Sequence, residues 1–399
     1  MNLPLWVSAL VATLIVQTVS AFASMAVPLL GPPLMARAGL PLESIGLVSA
    51  MTSVGICWCL ACGGPMLGHH GAVRTLQIGL ACTAAGLLVL SQPLGVLGLL
   101  GALAIGFGVG PNTPAGSQIL MRAAPPRHRT LIFSIKQAGV PLGGALAGLI
   151  VAPLVLAQGL TVTLWTIIAV MLVTILVVQP FRRPLDGQRG EGHPGWARAL
   201  LSPAVLVRSV RHLGAHPSLP LLTGLGASFS MMQSCLMAFT ATYVVTRHDA
   251  SLAEAGRIVA VMQGASMLGR VALGWVADRI GHALRHLAVQ AVVSALAVGL
   301  LVLAGDQGSW ALYSCAALAG FTAIGWNGVH MAELARVAPP HLVSDVTSAA
   351  SLFGFVGSIC GPLAFTLLVT WSGSYGLAFL LVAGQLAGFG MASAVFLRR

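Results

Sequence analysis

The stretch FSIKQAGVPLGG, residues 133–144, contains the only lysine of the chain, Lys136. A lysine ammonium is a compact charge that can lose its proton on burial, whereas an arginine guanidinium stays charged. Before Asp186 the only carboxylate is that of Glu43, which is predicted at an outer helix end, so the apolar segments of the first half offer Lys136 no acid partner. An unpaired ammonium beside Gln137 predicts a site for an anionic solute. The alternative is a side chain that snorkels back to a membrane interface.

Polar amides recur near the middle of other apolar segments. Glycines and prolines surround Asn112 in one segment, and Gly325-Trp326-Asn327-Gly328 interrupts a later one. A helix break within lipid frees backbone groups that protein or a water-filled cavity must satisfy, so such breaks indicate a solute path. Hydrogen bonding between helices is the alternative role for these amides. The candidate substrate-binding residues are Lys136, Gln137, Asn112, Gln17, Gln233, Gln263, Trp326 and Asn327.

Other titratable groups are few within the apolar segments. His330 is the histidine predicted furthest from the ends of such a segment, and its ordinary pKa of about 6.5 makes it the candidate proton carrier. A buried structural histidine is the alternative. Arg270 is expected to join a charge network with Glu333 at an inner helix end, because a lone arginine at that depth would be costly.

The composition places the chain in a bilayer. Hydrophobic residues make up 57% of it and charged residues only 7%, and the mean hydropathy is +0.92. A helix needs about 20 apolar residues to cross the hydrocarbon core. Runs of this length predict twelve spans, at residues 5–30, 43–64, 73–93, 95–122, 131–155, 160–180, 218–245, 253–277, 284–304, 309–335, 343–369 and 375–397.

The arginines follow membrane topology rather than a nucleic-acid-binding patch. Most lie in loops predicted to be cytoplasmic, and the outer loops hold only Arg37 and Arg247. By the positive-inside rule, both termini are expected in the cytoplasm. The first apolar run is interpreted as a span and not a signal peptide, because it is long and no basic residue precedes it. The seven cysteines fall inside predicted spans, which favours packing roles over disulfides or a metal site.

The chain reads as a duplication around one polar segment. Gly106-Phe107 and Arg122 reappear as Gly320-Phe321 and Arg336, in both cases 214 positions later. The predicted organisation is an N-terminal six-helix bundle at 1–181, a cytoplasmic linker at 182–216 and a C-terminal six-helix bundle at 217–399.

Two such halves resemble the major facilitator superfamily, as does one loop. Gly274-Trp275-Val276-Ala277-Asp278-Arg279-Ile280-Gly281 is similar to the loop signature of that family, whereas the equivalent loop at 64–74 keeps its glycines but has Gly68 in place of the acid. The resemblance implies an all-α fold of twelve transmembrane helices in two pseudo-symmetric bundles, with a binding site near mid-membrane between the halves. It also implies a gate formed by Gly274, Asp278, Arg279 and Gly281, to which Arg270 and Glu333 are added, with Asp278 capping the start of span five near Thr130 and Ser134. The glycine-rich fourth and fifth spans are similar to those of cyanate-transporter-type permeases.

The resulting hypothesis is a monomeric secondary transporter of a small, anionic organic solute in a bacterial inner membrane, without a cofactor or metal. A multidrug or metabolite efflux antiporter is the first alternative. A multi-spanning membrane enzyme or receptor is the second, although the sequence has no His-Glu-x-x-His, Gly-x-Ser-x-Gly or lysine-containing phosphate loop. Substrate, direction and coupling ion are left open by the sequence.

Overall fold

A computed structural model describes residues 4–39, 44–186, 196–199, 210–248, 252–304 and 309–396. Within these ranges the regular secondary structure is helical, and no strand occurs. Helices are the natural form for such apolar runs, because a helix satisfies every backbone hydrogen bond within its own segment when no water is available.

The first half of the chain forms ten α-helices in its described part. They are α1 Leu5–Leu29, α2 Gly31–Ala38, α3 Ser44–Cys62, α4 Gly64–His70, α5 Ala72–Leu90, α6 Leu99–Val109, α7 Asn112–Ala123, α8 Arg129–Val178, α9 Arg182–Leu185 and α10 Trp196–Ala199. Helix α8 comprises two predicted spans, and its helical geometry is interrupted at Gly159, where φ is 77°.

The second half forms seven α-helices in its described part. They are α11 Ser218–His248, α12 Leu252–Ile280, α13 Ala283–Leu303, α14 Ser309–Ala319, α15 Asn327–Val337, α16 Val343–Ser372 and α17 Tyr375–Phe396. A π-helical turn, Gly320–Ile324, follows α14. The breaks predicted from the glycines and prolines are present, since α7 begins at Asn112 and α15 begins at Asn327.

Ten helices in the described ranges are long and apolar enough to cross a membrane. Helices α3 and α4, bent by 65° at Gly63, make an eleventh if they count as one span. The segment from α14 to α15 is interrupted by its π-helical turn and corresponds to the predicted span at 309–335, which brings the count to twelve. The architecture is therefore consistent with the twelve spans expected from the sequence.

The chain divides into two compact units. The first comprises Met1–Pro126, Lys136–His212 and Pro340–Ala349, and the second comprises Arg127–Ile135, Leu213–Pro339 and Ala350–Arg399. Each unit thus contains most of one sequence half and a short segment from the other. The proposed boundary at 182–216 stays a prediction, and residues 187–195 and 200–209 of that linker lie outside the described residues.

Equivalent glycines make the same close contact in both halves. A Cβ on Gly106 would overlap the backbone carbonyl of Thr52, and a Cβ on Gly320 would overlap that of Met262. Thr52 and Met262 are themselves 210 positions apart, close to the repeat offset. Small residues of this kind let helix backbones approach each other in a membrane, where burial of apolar surface does not drive helix association.

We expect Gly106→Ala and Gly320→Ala each to lower the thermal stability of the purified protein. The added methyl group meets backbone rather than a mobile side chain, and overpacking of this kind costs about 1–3 kcal/mol. Gly148→Ala is the matched control, because nothing lies within 4 Å of a Cβ at that helical position. Equal melting temperatures for Gly106→Ala and Gly148→Ala would contradict the proposed packing role.

Candidate functional site

Lys136 lies in the second turn of α8 and points into the protein. Its side chain is buried, and only 4% of the residue is exposed. The Nζ atom donates hydrogen bonds to the backbone oxygen of Asn112 at 3.0 Å and to Oε1 of Gln137 at 3.1 Å. The ammonium is therefore held inside the first unit and does not reach an interface, which is contrary to the snorkelling alternative.

The break between α6 and α7 makes room for this lysine. Gly110 and Pro111 separate the two helices, and Asn112 is the first residue of α7. One turn later, a Cβ on Gly116 would lie 2.9 Å from Cε and 3.2 Å from Nζ of Lys136. The glycine thus leaves the space that the lysine stem occupies along the first turn of α7.

Two further amides in the first unit have buried polar atoms without a partner. In the described part of the chain, Nδ2 of Asn112 donates no hydrogen bond and Oε1 of Gln17 accepts none. Gln17 packs next to Gly139, three residues after Lys136, since a Cβ on that glycine would lie 3.2 Å from Cγ of Gln17. Unsatisfied buried polar atoms are costly, and the cost is removed when a ligand supplies the missing partner.

The charge on Lys136 is not balanced by an acid. Both hydrogen-bond acceptors of its ammonium are neutral, and none of the ion pairs among the described residues includes it. A buried cation without a counter-ion favours the binding of an anion, because the attraction between charges is strong where water is excluded.

In the second unit, the structure brings together two of the predicted site residues. Nε1 of Trp326 donates a hydrogen bond to Oε1 of Gln233 at 3.0 Å, and the indole stacks on Phe229 with ring centroids 5.2 Å apart. Gln263 is half-buried and its Oε1 has no hydrogen-bond partner in the described residues, whereas Asn327 is half-buried at the start of α15. Trp326 and Gln233 therefore form an aromatic and amide cluster in this unit.

His330 is fully buried beside this aromatic pair. Its Nε2 lies 2.8 Å from the backbone oxygen of Leu222 and so acts as the donor, while its ring packs edge-on against Trp326 at 5.1 Å. Gly226 faces the ring closely, since a Cβ there would clash with it. These contacts suit a structural histidine, and the proton-carrying role stays a prediction.

Asp278 caps the first turn of α8 from the end of α12. Its Oδ1 accepts from the backbone N–H of Thr130 at 3.0 Å, and its Oδ2 accepts from that of Leu131 at 2.8 Å. The free N–H groups and positive dipole of a helix N-terminus favour a carboxylate here. Gly274 permits this approach, because a Cβ there would overlap Ser134. The contact implied by the family resemblance is therefore formed within the second unit.

The neighbours of Asp278 in the loop signature have other contacts. The guanidinium of Arg279 lies 4.7 Å from the ring centroid of Trp275, in cation–π geometry. Gly281 has φ 73°, a conformation that favours glycine, and it ends α12.

The predicted network of Arg270 with Glu333 stays a prediction. Glu333 forms a bidentate ion pair with Arg336, whose Nε and Nη2 each lie 2.6 Å from a carboxylate oxygen. The two residues are three positions apart on α15, so one helix brings them together. Arg270 is buried on α12, with 5% of the residue exposed.

Two acids near the degenerate loop were not identified from the sequence. Oδ1 of Asp186 accepts from the backbone N–H of Val73 at 2.7 Å and thereby caps α5. Oδ2 of Asp345 lies 3.3 Å from Nδ1 of His212. Only the repeat offset could have indicated Asp345, because these contacts join residues far apart in the chain.

Comparison with known proteins identifies relatives along nearly the whole chain. The family model described as Major Facilitator Superfamily matches residues 13–362. Two proteins from different strains of Mycobacterium tuberculosis, each called an uncharacterized MFS-type transporter, are 27% identical over 350 residues, which is 85% of this chain and 74% of theirs.

Solved structures show the same fold. The E. coli fucose:proton symporter has a TM-score of 0.77 at 14% identity, with 98% of both chains covered. The human organic anion transporter MFSD10 has a TM-score of 0.79 at 16% identity, with 98% of this chain and 100% of that chain covered. These likenesses show the fold alone, and they confirm the predicted all-α membrane fold of two pseudo-symmetric six-helix bundles. The likeness to cyanate-transporter-type permeases stays a prediction.

Proposed function

Because the chain belongs to the major facilitator superfamily and is a membrane transporter, we propose that it moves a small organic anion, which binds at Lys136. The solute crosses the bilayer by alternating access, in which one site opens to each side in turn. Both termini lie in the cytoplasm of a bacterial cell, in agreement with the distribution of arginines between inner and outer loops.

The unbalanced buried ammonium carries this proposal. Lys136 is the only lysine of the chain and its hydrogen-bond acceptors are a backbone carbonyl and an amide. A carboxylate or similar anion would compensate its charge, and the unpaired Nδ2 of Asn112 offers the same anion a second donor. An exporter of cationic compounds would need a buried acid without a counter-ion. The spans of the first half contain no acid in their interior, and the buried Glu333 of the second half is paired with Arg336.

Asp278 has the role of a latch in this proposal. Its two hydrogen bonds hold the start of α8, the same helix on which Lys136 lies one to two turns later. When the latch breaks, the N-terminal turn of α8 is released, and the solute gains access to the cytoplasm.

A thermal-shift screen of the purified protein tests the proposed substrate class. The panel consists of monocarboxylates, dicarboxylates, inorganic anions, zwitterionic amino acids and cationic drugs. A ligand that binds the folded state stabilises it by mass action, by about 2.7 kcal/mol at 100 times its Kd. We expect at least one organic anion to raise the melting temperature, and the same compound to support counterflow in proteoliposomes.

Neutral salts at equal ionic strength are the control for non-specific stabilisation. If only cationic or uncharged compounds raise the melting temperature and are exchanged in counterflow, the anion proposal is wrong, although the assignment as a transporter stands.

A further inference from the structure

The loop at 64–71 has lost the acid that its counterpart uses. With the offset of 210 that aligns Gly64 with Gly274 and Gly71 with Gly281, Gly68 takes the position of Asp278. Nothing outside its own helix turn lies within 4 Å of a Cβ on Gly68, so a side chain at this position would enter open space. The loop at 64–71 therefore has no carboxylate of its own that could cap a helix in the way that Asp278 caps α8.

The acid that the loop lacks is present instead on the helix that the repeat relates to the start of α8. Asp278 binds the backbone N–H of Leu131. With the offset of 214 that relates Gly106 to Gly320 and Arg122 to Arg336, Leu131 corresponds to Asp345. In one contact, the acid Asp278 is on the loop of the second half and the apolar Leu131 is on the helix of the first half. In the repeat-related positions, the loop of the first half has Gly68 and the helix of the second half has the acid Asp345.

The geometry around Asp345 agrees with an acid that has moved from the loop to the helix. Asp345 lies in the first turn of α16, where a carboxylate is favoured by the helix dipole. It packs against the loop, since a Cβ on Gly64 would lie 2.9 Å from its Oδ1. Its Oδ2 lies 3.3 Å from Nδ1 of His212, at the end of the linker. All three residues belong to the first compact unit, although Asp345 comes from the second half of the sequence.

We propose that a second latch, related by the repeat to that of Asp278, closes the cytoplasmic side, and that Asp345 supplies its acid in place of the loop residue Gly68. His212 is the partner of Asp345 in this latch. The contact holds residues 340–349 against Gly64 and the linker end, and it must break when the cytoplasmic side opens. The proposal makes Asp345 a positioning residue for alternating access. It rests on the transporter function but not on the anion site at Lys136.

Hydrogen exchange of the full-length protein in lipid nanodiscs tests the latch without a known substrate. Asp345→Leu is expected to raise the exchange rates of backbone amides in residues 340–349 by about two- to fivefold, the effect of losing a partly exposed ion pair. His212→Gln is expected to have the same effect, and the double variant should add little to it. Gly68→Ala is the control on the loop, since its methyl group meets no neighbour.

Moving the acid back to the loop is the decisive variant. Gly68→Asp combined with Asp345→Leu gives the first half the arrangement of the second, and we expect it to restore slow exchange at 340–349. Gly68→Asn combined with Asp345→Leu is the matched control, because it has the same shape without the charge, and it should exchange as fast as Asp345→Leu alone.

Two results would overturn the proposal. The first is unchanged exchange at 340–349 in Asp345→Leu. The second is the same exchange in the Gly68→Asp and Gly68→Asn combinations, since a purely structural role of Asp345 would not be rescued by an acid placed on the loop.

Discussion

Lys136→Ala is expected to abolish binding of the physiological solute, while the protein still folds and reaches the membrane. The ammonium is buried and its acceptors are neutral, so an anionic solute would be its only counter-charge in the described part of the first unit. Loss of one partner of a buried charge pair costs about 2–5 kcal/mol, which corresponds to roughly 30-fold or more in affinity. The measurement is the ligand-induced shift in melting temperature, followed by counterflow of the same compound.

Two further variants make this result specific. Lys136→Arg should retain a fraction of the binding at best, because a planar guanidinium does not fit the space that Gly116 leaves for a compact ammonium. Gln77→Leu is the matched control, because it removes another buried polar side chain of the first unit. Nε2 of Gln77 donates hydrogen bonds to the backbone oxygen of Ile175 and to Oε1 of Gln179. This variant should melt at a lower temperature and keep the ligand-induced shift. Parental affinity in Lys136→Ala would refute the anion site.

Asp278→Asn is expected to reduce the initial rate of transport by about fivefold or more, with expression retained. The carboxylate accepts two hydrogen bonds from the first turn of α8, and charged acceptors of this kind contribute about 1.5–3 kcal/mol. An asparagine keeps one acceptor oxygen but turns an N–H group toward the second backbone donor. The latch is therefore weakened, and the cytoplasmic side should be open for a larger share of the cycle.

The control for this variant is Glu254→Gln, which removes an acid from the first turn of the same helix at its opposite end. Initial rates in proteoliposomes measure the effect, with accessibility of the cytoplasmic side to a water-soluble probe as a second readout. Rates that are equal in Asp278→Asn and in the parent protein would show that the two hydrogen bonds are not part of the gate.

Local patterns predicted the helices well, because the requirement to satisfy the backbone in lipid leaves few alternatives. The break at Asn112, the equivalent break at Asn327 and the cap on α8 by Asp278 could be anticipated from glycines, prolines and the repeat. Contacts that depend on the direction of a side chain could not be anticipated in this way. The ion pair of Glu333 with Arg336, three positions later on the same helix, is one such contact that the sequence analysis did not identify.

The site at Lys136 shows the same limit. Composition and position identify the lysine as unusual, but a long flexible side chain can extend either to the interface or to the interior, and the sequence does not distinguish the two. The break before α7 and the absence of a side chain at Gly116 leave space in the interior, and the lysine side chain extends into it. Asp186 was missed for a related reason, since its partner Val73 lies 113 positions away.

The uncompensated ammonium of Lys136 also determines how the membrane voltage acts on the cycle. A protonated Lys136 gives the empty carrier a positive charge within the bilayer, and a bound monoanion cancels it. A potential of 100 mV contributes about 2.3 kcal/mol for each elementary charge that crosses the whole field. The voltage should therefore act mainly on the reorientation of the empty carrier and leave the step loaded with a monoanion almost unaffected. A dianion of the same shape would give the loaded carrier a net negative charge, so its loaded step would also respond to the potential.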